Sequence, residues 1–289
     1  MGKSREIQKR MKAVGNIKRI TRTMQMIATS KFAKAQQSAM DSKPYTGALF
    51  DLVRQLAGAA EGVDHPLLGE PAEGSRELTL VITSDRGLCG PYNGSVVRTA
   101  LNHLRSSATA REGAVEVVGK KGAAVLRFNK IDVNAHHTQF GDKPSYEDVQ
   151  RLAQDYIDRF TAGEIGVVRV VSMKYYSAGR QKPEVFQLLP FKAEQAEAEA
   201  GAGSSLYEFS PDAEGLLDHL LPAAVKAQLF QCFNDAIVSE HVARMVAMKA
   251  ATDNAGKMGH ALKRKYNRAR QSQITTELTE IISGAAALD

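Results

Sequence analysis

Proline is missing from both ends of this 289-residue chain: all nine prolines fall between Pro44 and Pro222. Without a breaker, each end is free to form an uninterrupted helix. Acidic residues are equally scarce at the start, where residues 1 to 40 carry ten Lys and Arg against one acid. Residues 240 to 289 carry eight against five, which leaves twenty against twenty-six in the middle. No apolar run approaches the roughly 18 residues that a bilayer span requires; even Val167 to Met173 is broken by Arg169. The chain is therefore expected to be soluble, or at most peripheral to a membrane.

Cysteine is also sparse. Cys89 and Cys232 lie far apart, matching neither a disulfide framework nor a zinc spacing, which predicts free thiols in a reducing compartment. The basic opening segment has the composition of a transit peptide, but its apolar period runs on through Ala35 without a break, so it reads as mature structure. Met1-Gly2 does not open a myristoylation motif, because Glu6 stands where Ser or Thr is needed.

What is present is periodicity. Ile7, Met11, Val14, Ile17, Ile20, Met24, Ile27, Phe32, Ala35 and Ala39 recur mostly every three or four residues, drawing an apolar stripe along a helix. Met245, Met248, Thr252, Ala255, Met258 and Leu262 repeat the spacing near the other end. Ile274, Leu278, Ile281, Ala285 and Leu288 then step by four, three, four and three, a heptad pattern. At 1.5 Å per residue, helices over 3 to 57 and 223 to 288 would run about 80 and 100 Å, too long for a compact domain. The chain between them forces the pair to be antiparallel. The longer C-terminal helix should overhang, leaving Ile274, Leu278, Ile281, Ile282 and Leu288 for a hydrophobic socket on another protein.

The middle alternates strand and helix. Strands are expected at Leu78 to Thr83, Val115 to Val118 and Ile131 to Ala135. Helices are expected from Pro91 to Ser106, around Ala123 to Phe128, and from Tyr146 to Phe160. A hairpin of Ile165 to Tyr175 and Glu184 to Phe191 follows. The fold class is α/β: an antiparallel coiled coil of the N- and C-terminal helices with an inserted small open-sheet, Rossmann-like domain. The expected divisions are 1 to 58 for the first helix, 76 to 192 for the α/β domain, 193 to 221 for a flexible linker, and 222 to 289 for the last helix.

Little of this carries catalytic chemistry. In the loop Ser84 to Gly90, Cys89 has no His/Asn partner legible in sequence and reads as a buried or interface thiol, while Asp85 reads as a turn former or a partner of Arg86. Gly119-Lys120-Lys121-Gly122 lacks the spacing of a phosphate loop. His136 and His137, adjacent and without a ligand set, read as surface residues. The basic clusters Lys3, Arg5, Lys9, Arg10, Lys12, Lys18, Arg19 and Arg22, and Lys263, Arg264, Lys265, Arg268 and Arg270, suit either nucleic-acid phosphate or acidic loops of a protein partner. No aromatic residue interleaves the first cluster to stack bases.

Several segments, in order, closely resemble the gamma subunit of the F-type ATP synthase, bacterial type. They are Ser4 to Ile7, ITRTMQMIA from Ile20 to Ala28, SDRGLCG from Ser84 to Gly90, SEHVARMVAMKAATDNA from Ser239 to Ala255, NRARQ from Asn267 to Gln271, and Ile274 to Leu278 with Gly284 to Leu288. The resemblance implies a non-catalytic central stalk without a cofactor or metal. Its coiled coil passes up a hexamer of alternating alpha and beta subunits, while its α/β domain holds the epsilon subunit near the membrane c-ring. It would work at the cytoplasmic face of the bacterial plasma membrane. By match to the family pattern, Met24, Arg244, Gln271, Thr275 and Glu277 belong to the coupling surface, and Ile274, Leu278, Ile281 and Leu288 ride in an apolar bearing. Cys89 and Tyr207 lie on the epsilon and c-ring side. The 193 to 205 stretch has no cysteine, so the dithiol switch of chloroplast gamma subunits is not expected. The competing expectation from the basic ends is a coiled-coil adaptor for nucleic acid or an acidic protein.

Overall fold

A computed structural model describes residues 2–59, 65–69, 75–192 and 213–286. It resolves into two compact units, one made of Met1–Ser30 with Arg244–Asp289, the other of Lys31–Ala243. Helix α1 spans Gly2–Ala59 and helix α6 spans Ala213–Ala286, and each contributes residues to both units.

Both long helices contain a proline: Pro44 lies inside α1, as a helix over 3 to 57 requires, and Pro222 lies inside α6, which starts nine residues before it and not at 223 as expected. A proline within a helix leaves the carbonyl four residues earlier without its amide. Here those residues are Met40, 57% exposed, and Asp218, with a side chain 63% exposed. Leu217, Leu221, Ala224 and Val225 around Pro222 are fully buried, and this packing outweighs the breaker.

The second unit is built on a five-stranded sheet. Its strands are β1 (Glu77–Ile82), β2 (Ala114–Val118), β3 (Ala135–His137), β4 (Val167–Ser177) and β5 (Arg180–Leu189), in the order β3-β2-β1-β4-β5. Strand β1 pairs in parallel with β2 and β4, and β2 in parallel with β3; β4 and β5 form the antiparallel hairpin. Every residue of β1 is buried, as expected of a parallel strand covered on both faces.

Alternation along β1 and β2 assigns the two faces. Leu78, Leu80, Ile82 and Val118 pack with α5 (Tyr146–Thr161), Leu49, Val53 and Leu56 of α1, and Leu217 to Phe233 of α6. Val81, Val115 and Val117 pack with α2 (Tyr92–Ser106), the short α3 (Ala108–Glu112) and α4 (Lys120–Phe128).

Strand β3 starts four residues later than the apolar run from Ile131 suggests. The intervening residues close α4: Lys130 takes the left-handed conformation, its N–H reaches the Arg127 carbonyl, and the Ile131 N–H reaches that of Leu126. This Schellman closure uses up the residues that would otherwise extend the strand. Helix α3 has no counterpart in the sequence-based expectation, although its signal is present: Ser107 caps it, its hydroxyl accepting from the Ala110 N–H.

Candidate coupling surface

In the first unit the contact seam follows a strict heptad. Ser4, Ile7, Met11, Val14, Thr21, Gln25 and Ala28 of α1 are buried or half-buried, with the exposed Lys18 completing the series in steps of three and four. On α6 the series is Met245, Met248, Thr252, Ala255, Gly259, Leu262, Tyr266, Ala269 and Gln273, all buried or half-buried. Hydrogen bonds fix the direction: Ser4 Oγ donates to Gln273 Oε1 at 2.9 Å, and the hydroxyls of Thr21 and Thr252 are 2.8 Å apart. Ascending numbers on one helix meet descending numbers on the other, so the pair is antiparallel.

This seam corrects the apolar stripes read from sequence. Ile17, Ile20 and Ile27 are 52%, 55% and 52% exposed, and Met258 is 56% exposed. After Val14 the isoleucines step by three and three, whereas a seam closing every 3.5 residues needs four and three. The isoleucines drift off the contact line, and Lys18, Thr21 and Gln25 occupy it instead.

Beyond Gln273 the seam positions are Thr276, Glu280 and Ser283, all polar and exposed. The apolar residues lie elsewhere: Ile274, Leu278, Ile281 and Ile282 are 51%, 57%, 69% and 60% exposed. At 3.5 residues per turn, the stripe of Ile274, Leu278 and Ile281 is centred roughly 150° around the helix from the seam. It faces away from the line along which α6 meets α1. Leu288 lies outside the described residues.

Of the other residues expected on the coupling surface, Met24 and Arg244 are half-buried, Met24 next to the seam residue Gln25 in sequence. Gln271, Thr275 and Glu277 are exposed on α6. The Thr275 hydroxyl donates to the Gln271 carbonyl at 3.0 Å, and Glu277 accepts from Gln273 Nε2 at 2.9 Å. Gln273 thus links Glu277 to the seam, a position detectable in sequence only once the heptad is set.

In the second unit the Ser84 to Gly90 loop leaves β1 at its carboxyl end. Cys89 is 2% exposed, and Asn93 Nδ2 donates both to its sulfur at 3.2 Å and to Ser84 Oγ at 2.8 Å. Leu88, 60% exposed, is the apolar side chain this loop presents outward. Tyr207 lies outside the described residues. Asp85 caps α4, accepting from the Lys120 N–H at 3.0 Å, while Arg86 reaches towards Asp142 at 3.8 Å.

The glycines of Gly119-Lys120-Lys121-Gly122 serve close packing. Gly119 has φ +91°, and a Cβ there would fall 2.3 Å from the Thr83 carbonyl oxygen. The Gly122 N–H donates to Thr83 Oγ1 at 3.0 Å, where a side chain would displace Thr83.

Two buried carboxylates brace the sheet. Glu77 accepts from Thr109, lies 2.5 Å from His103 Nε2 and pairs with Arg169. Glu116 accepts from the Tyr156 hydroxyl at 2.8 Å and Arg159 Nη1 at 3.0 Å, with His137 Nε2 at 2.8 Å. Burial alone would raise both carboxyls, but these partners outweigh it and hold each below the usual carboxylate range. His137 is therefore a structural partner, its side chain 17% exposed, and not the surface residue expected from sequence. His136 is likewise half-buried. Among the described residues, no cluster of His, Cys, Asp and Glu is arranged to hold a metal, and no helix is long and apolar enough to cross a membrane.

An antiparallel pair of long helices carrying a five-stranded α/β insertion is the fold of the ATP synthase central stalk. A chain of the Euglena gracilis mitochondrial ATP synthase, solved as an OSCP/F1/c-ring assembly, matches with a TM-score of 0.64 at 18% identity over 99% of this chain and 95% of its own. One from the Tetrahymena thermophila central stalk and c-ring matches with a TM-score of 0.58 at 19% identity, over 80% and 99%. In sequence, the family model described as ATP synthase matches residues 3–288. The ATP synthase gamma chain of Rhodopirellula baltica is 41% identical and that of Leptospira biflexa 37%, each over 100% of both chains. The chain belongs to the ATP synthase gamma-chain family.

Proposed function

We propose that this chain is the central rotor shaft of an F-type ATP synthase, coupling ion flow through the membrane c-ring to the catalytic cycle of the alpha/beta hexamer. The observation that carries the reading is the outward apolar stripe of Ile274, Leu278 and Ile281, set away from a seam that is polar at the same level. Exposed isoleucine and leucine on a solitary helix face suit an apolar sleeve, as the bearing role requires.

In this reading the chain performs no chemistry itself. Met24, Arg244, Gln271, Thr275 and Glu277 form the coupling surface towards the beta subunits, and Leu288 extends the bearing. The Cys89 loop and Tyr207 face epsilon and the c-ring; with the Cys89 thiol buried, Leu88 is the side chain placed to make that contact. The site of action is the cytoplasmic face of a bacterial plasma membrane. Each charge crossing about 100 mV releases roughly 2.3 kcal/mol, and a long seam spreads such work over many layers. Family membership leaves the nucleic-acid adaptor reading without support.

Reconstitution tests this. Combined with alpha and beta subunits, the chain should support ATP-driven rotation of a bead fixed to its α/β domain. Robust ATP hydrolysis by the isolated chain, or undiminished rotary activity of the hexamer without it, would overturn the proposal.

A further inference from the structure

Helix α4 turns Gly122, Ala123 and Leu126 into the core. At about 100° per residue, Lys121, Ala124, Val125 and Phe128 share the opposite face, flanked by Lys120 and Arg127. Phe128 is 87% exposed, the most open of the large apolar side chains described, and Val125 is 42% exposed. Lys120, Lys121, Arg127 and Lys130 are all exposed, and none has an ion-pair partner among the described residues. The nearest carboxylates in sequence are Asp132 and Glu116; Glu116 is buried with Tyr156, Arg159 and His137, and Asp85, brought close by the fold, is engaged in capping α4.

We propose that this face docks on an anionic lipid bilayer. The charge calls for a negative partner, and the residue types choose between a protein and a membrane. Protein interfaces are depleted in lysine at their core, yet three of these four cations are lysines. A bare phenylalanine ringed by lysines instead fits the boundary between headgroups and acyl chains, where the ring enters and the lysine stems lie along apolar surface with their ammonium groups among phosphates. The proposal goes beyond the rotor assignment and does not depend on it.

The chain contains no tryptophan, so Phe128→Trp in the full-length protein creates a unique fluorophore at the centre of the patch. Vesicles of phosphatidylcholine with about 30% phosphatidylglycerol, at about 0.1 M salt, should shift its emission to the blue and expose it to quenching by brominated acyl chains. Pure phosphatidylcholine should do neither. Adding Lys121→Glu and Arg127→Glu should weaken partitioning at least about tenfold. A Val125→Trp chain should behave in the same way, so the test does not hang on one variant. Cosedimentation with anionic vesicles while tryptophan emission stays unchanged would overturn the proposal, assigning membrane binding to the basic helix ends. A shift caused by a polyglutamate peptide but not by vesicles would overturn it in favour of a protein partner.

Discussion

The hydroxyls of Thr21 and Thr252 meet 2.8 Å apart across the seam, and the Thr252 hydroxyl also lies 2.8 Å from the Met248 carbonyl. One hydroxyl has one proton: when Thr252 donates to Met248, Thr21 donates across the seam in place of its own bond to the Lys18 carbonyl at 3.2 Å. Thr252→Val should therefore cost about 1 kcal/mol, while adding Thr21→Val should cost little more, because the Thr21 hydroxyl has then already lost its bond across the seam and keeps only the one to the Lys18 carbonyl. Urea unfolding followed by far-ultraviolet circular dichroism checks this. Additive losses in the double variant would mean the two hydroxyls are not coupled.

Acid should weaken the α/β unit through Glu77 and Glu116. Both are held below their unfolded values, so the stability they contribute is complete above about pH 4.5 and is lost as pH falls through the folded values. Glu116→Gln should flatten the pH dependence of the urea midpoint below about pH 4.5. At pH 7 it should cost about 2 to 3 kcal/mol, because Arg159 and the buried Tyr156 hydroxyl lose their charged acceptor. An unchanged acid slope would show that other carboxylates dominate.

Neither thiol should react in the folded protein. Burial, with Asp235 adding to it, pushes the Cys232 thiol up to about 12, and Cys89 is enclosed by Ser84 and Asn93. A disulfide reagent at pH 8 should titrate no thiols in native buffer and two in denaturant. Rapid labelling of either cysteine before unfolding would contradict the packing described.

Gly119→Ala should destabilise the α/β unit by roughly 2 to 4 kcal/mol. It combines a positive φ with a Cβ placed 2.3 Å from the Thr83 carbonyl oxygen. Gly179→Ala at the hairpin turn, where nothing lies within 4 Å, provides the control and should fall within about 0.5 kcal/mol. Thermal unfolding of the two variants decides it.

Met24→Lys should loosen the coupling of rotation to catalysis more than it impairs assembly, since it sets a new cation beside a seam already carrying Lys18. Proton pumping per ATP hydrolysed, measured in membranes holding the assembled complex, should fall. An unchanged ratio would remove Met24 from the coupling surface.

Alternation and helix period made most of the α/β unit legible in sequence: the stretches predicted for α2, α5 and the β4–β5 hairpin overlap the observed elements. The failures have local causes. Apolar spacing cannot separate a seam from a drifting flank, so it draws Ile17, Ile20 and Ile27 into the stripe and passes over Thr21 and Gln25. Proline content misplaced the start of α6, because tertiary burial around Pro222 is invisible to local pattern. The Glu116 cluster draws on β2, β3 and α5, residues up to 43 apart that no spacing rule connects.

The outward stripe on α6 occupies one side of the helix only. Turned about its own axis inside a collar, such a helix brings grease to one sector of the wall and the polar line of Thr276, Glu280 and Ser283 to the opposite sector. Each stationary subunit around it would meet the two in alternation, once per revolution, as followers meet a cam.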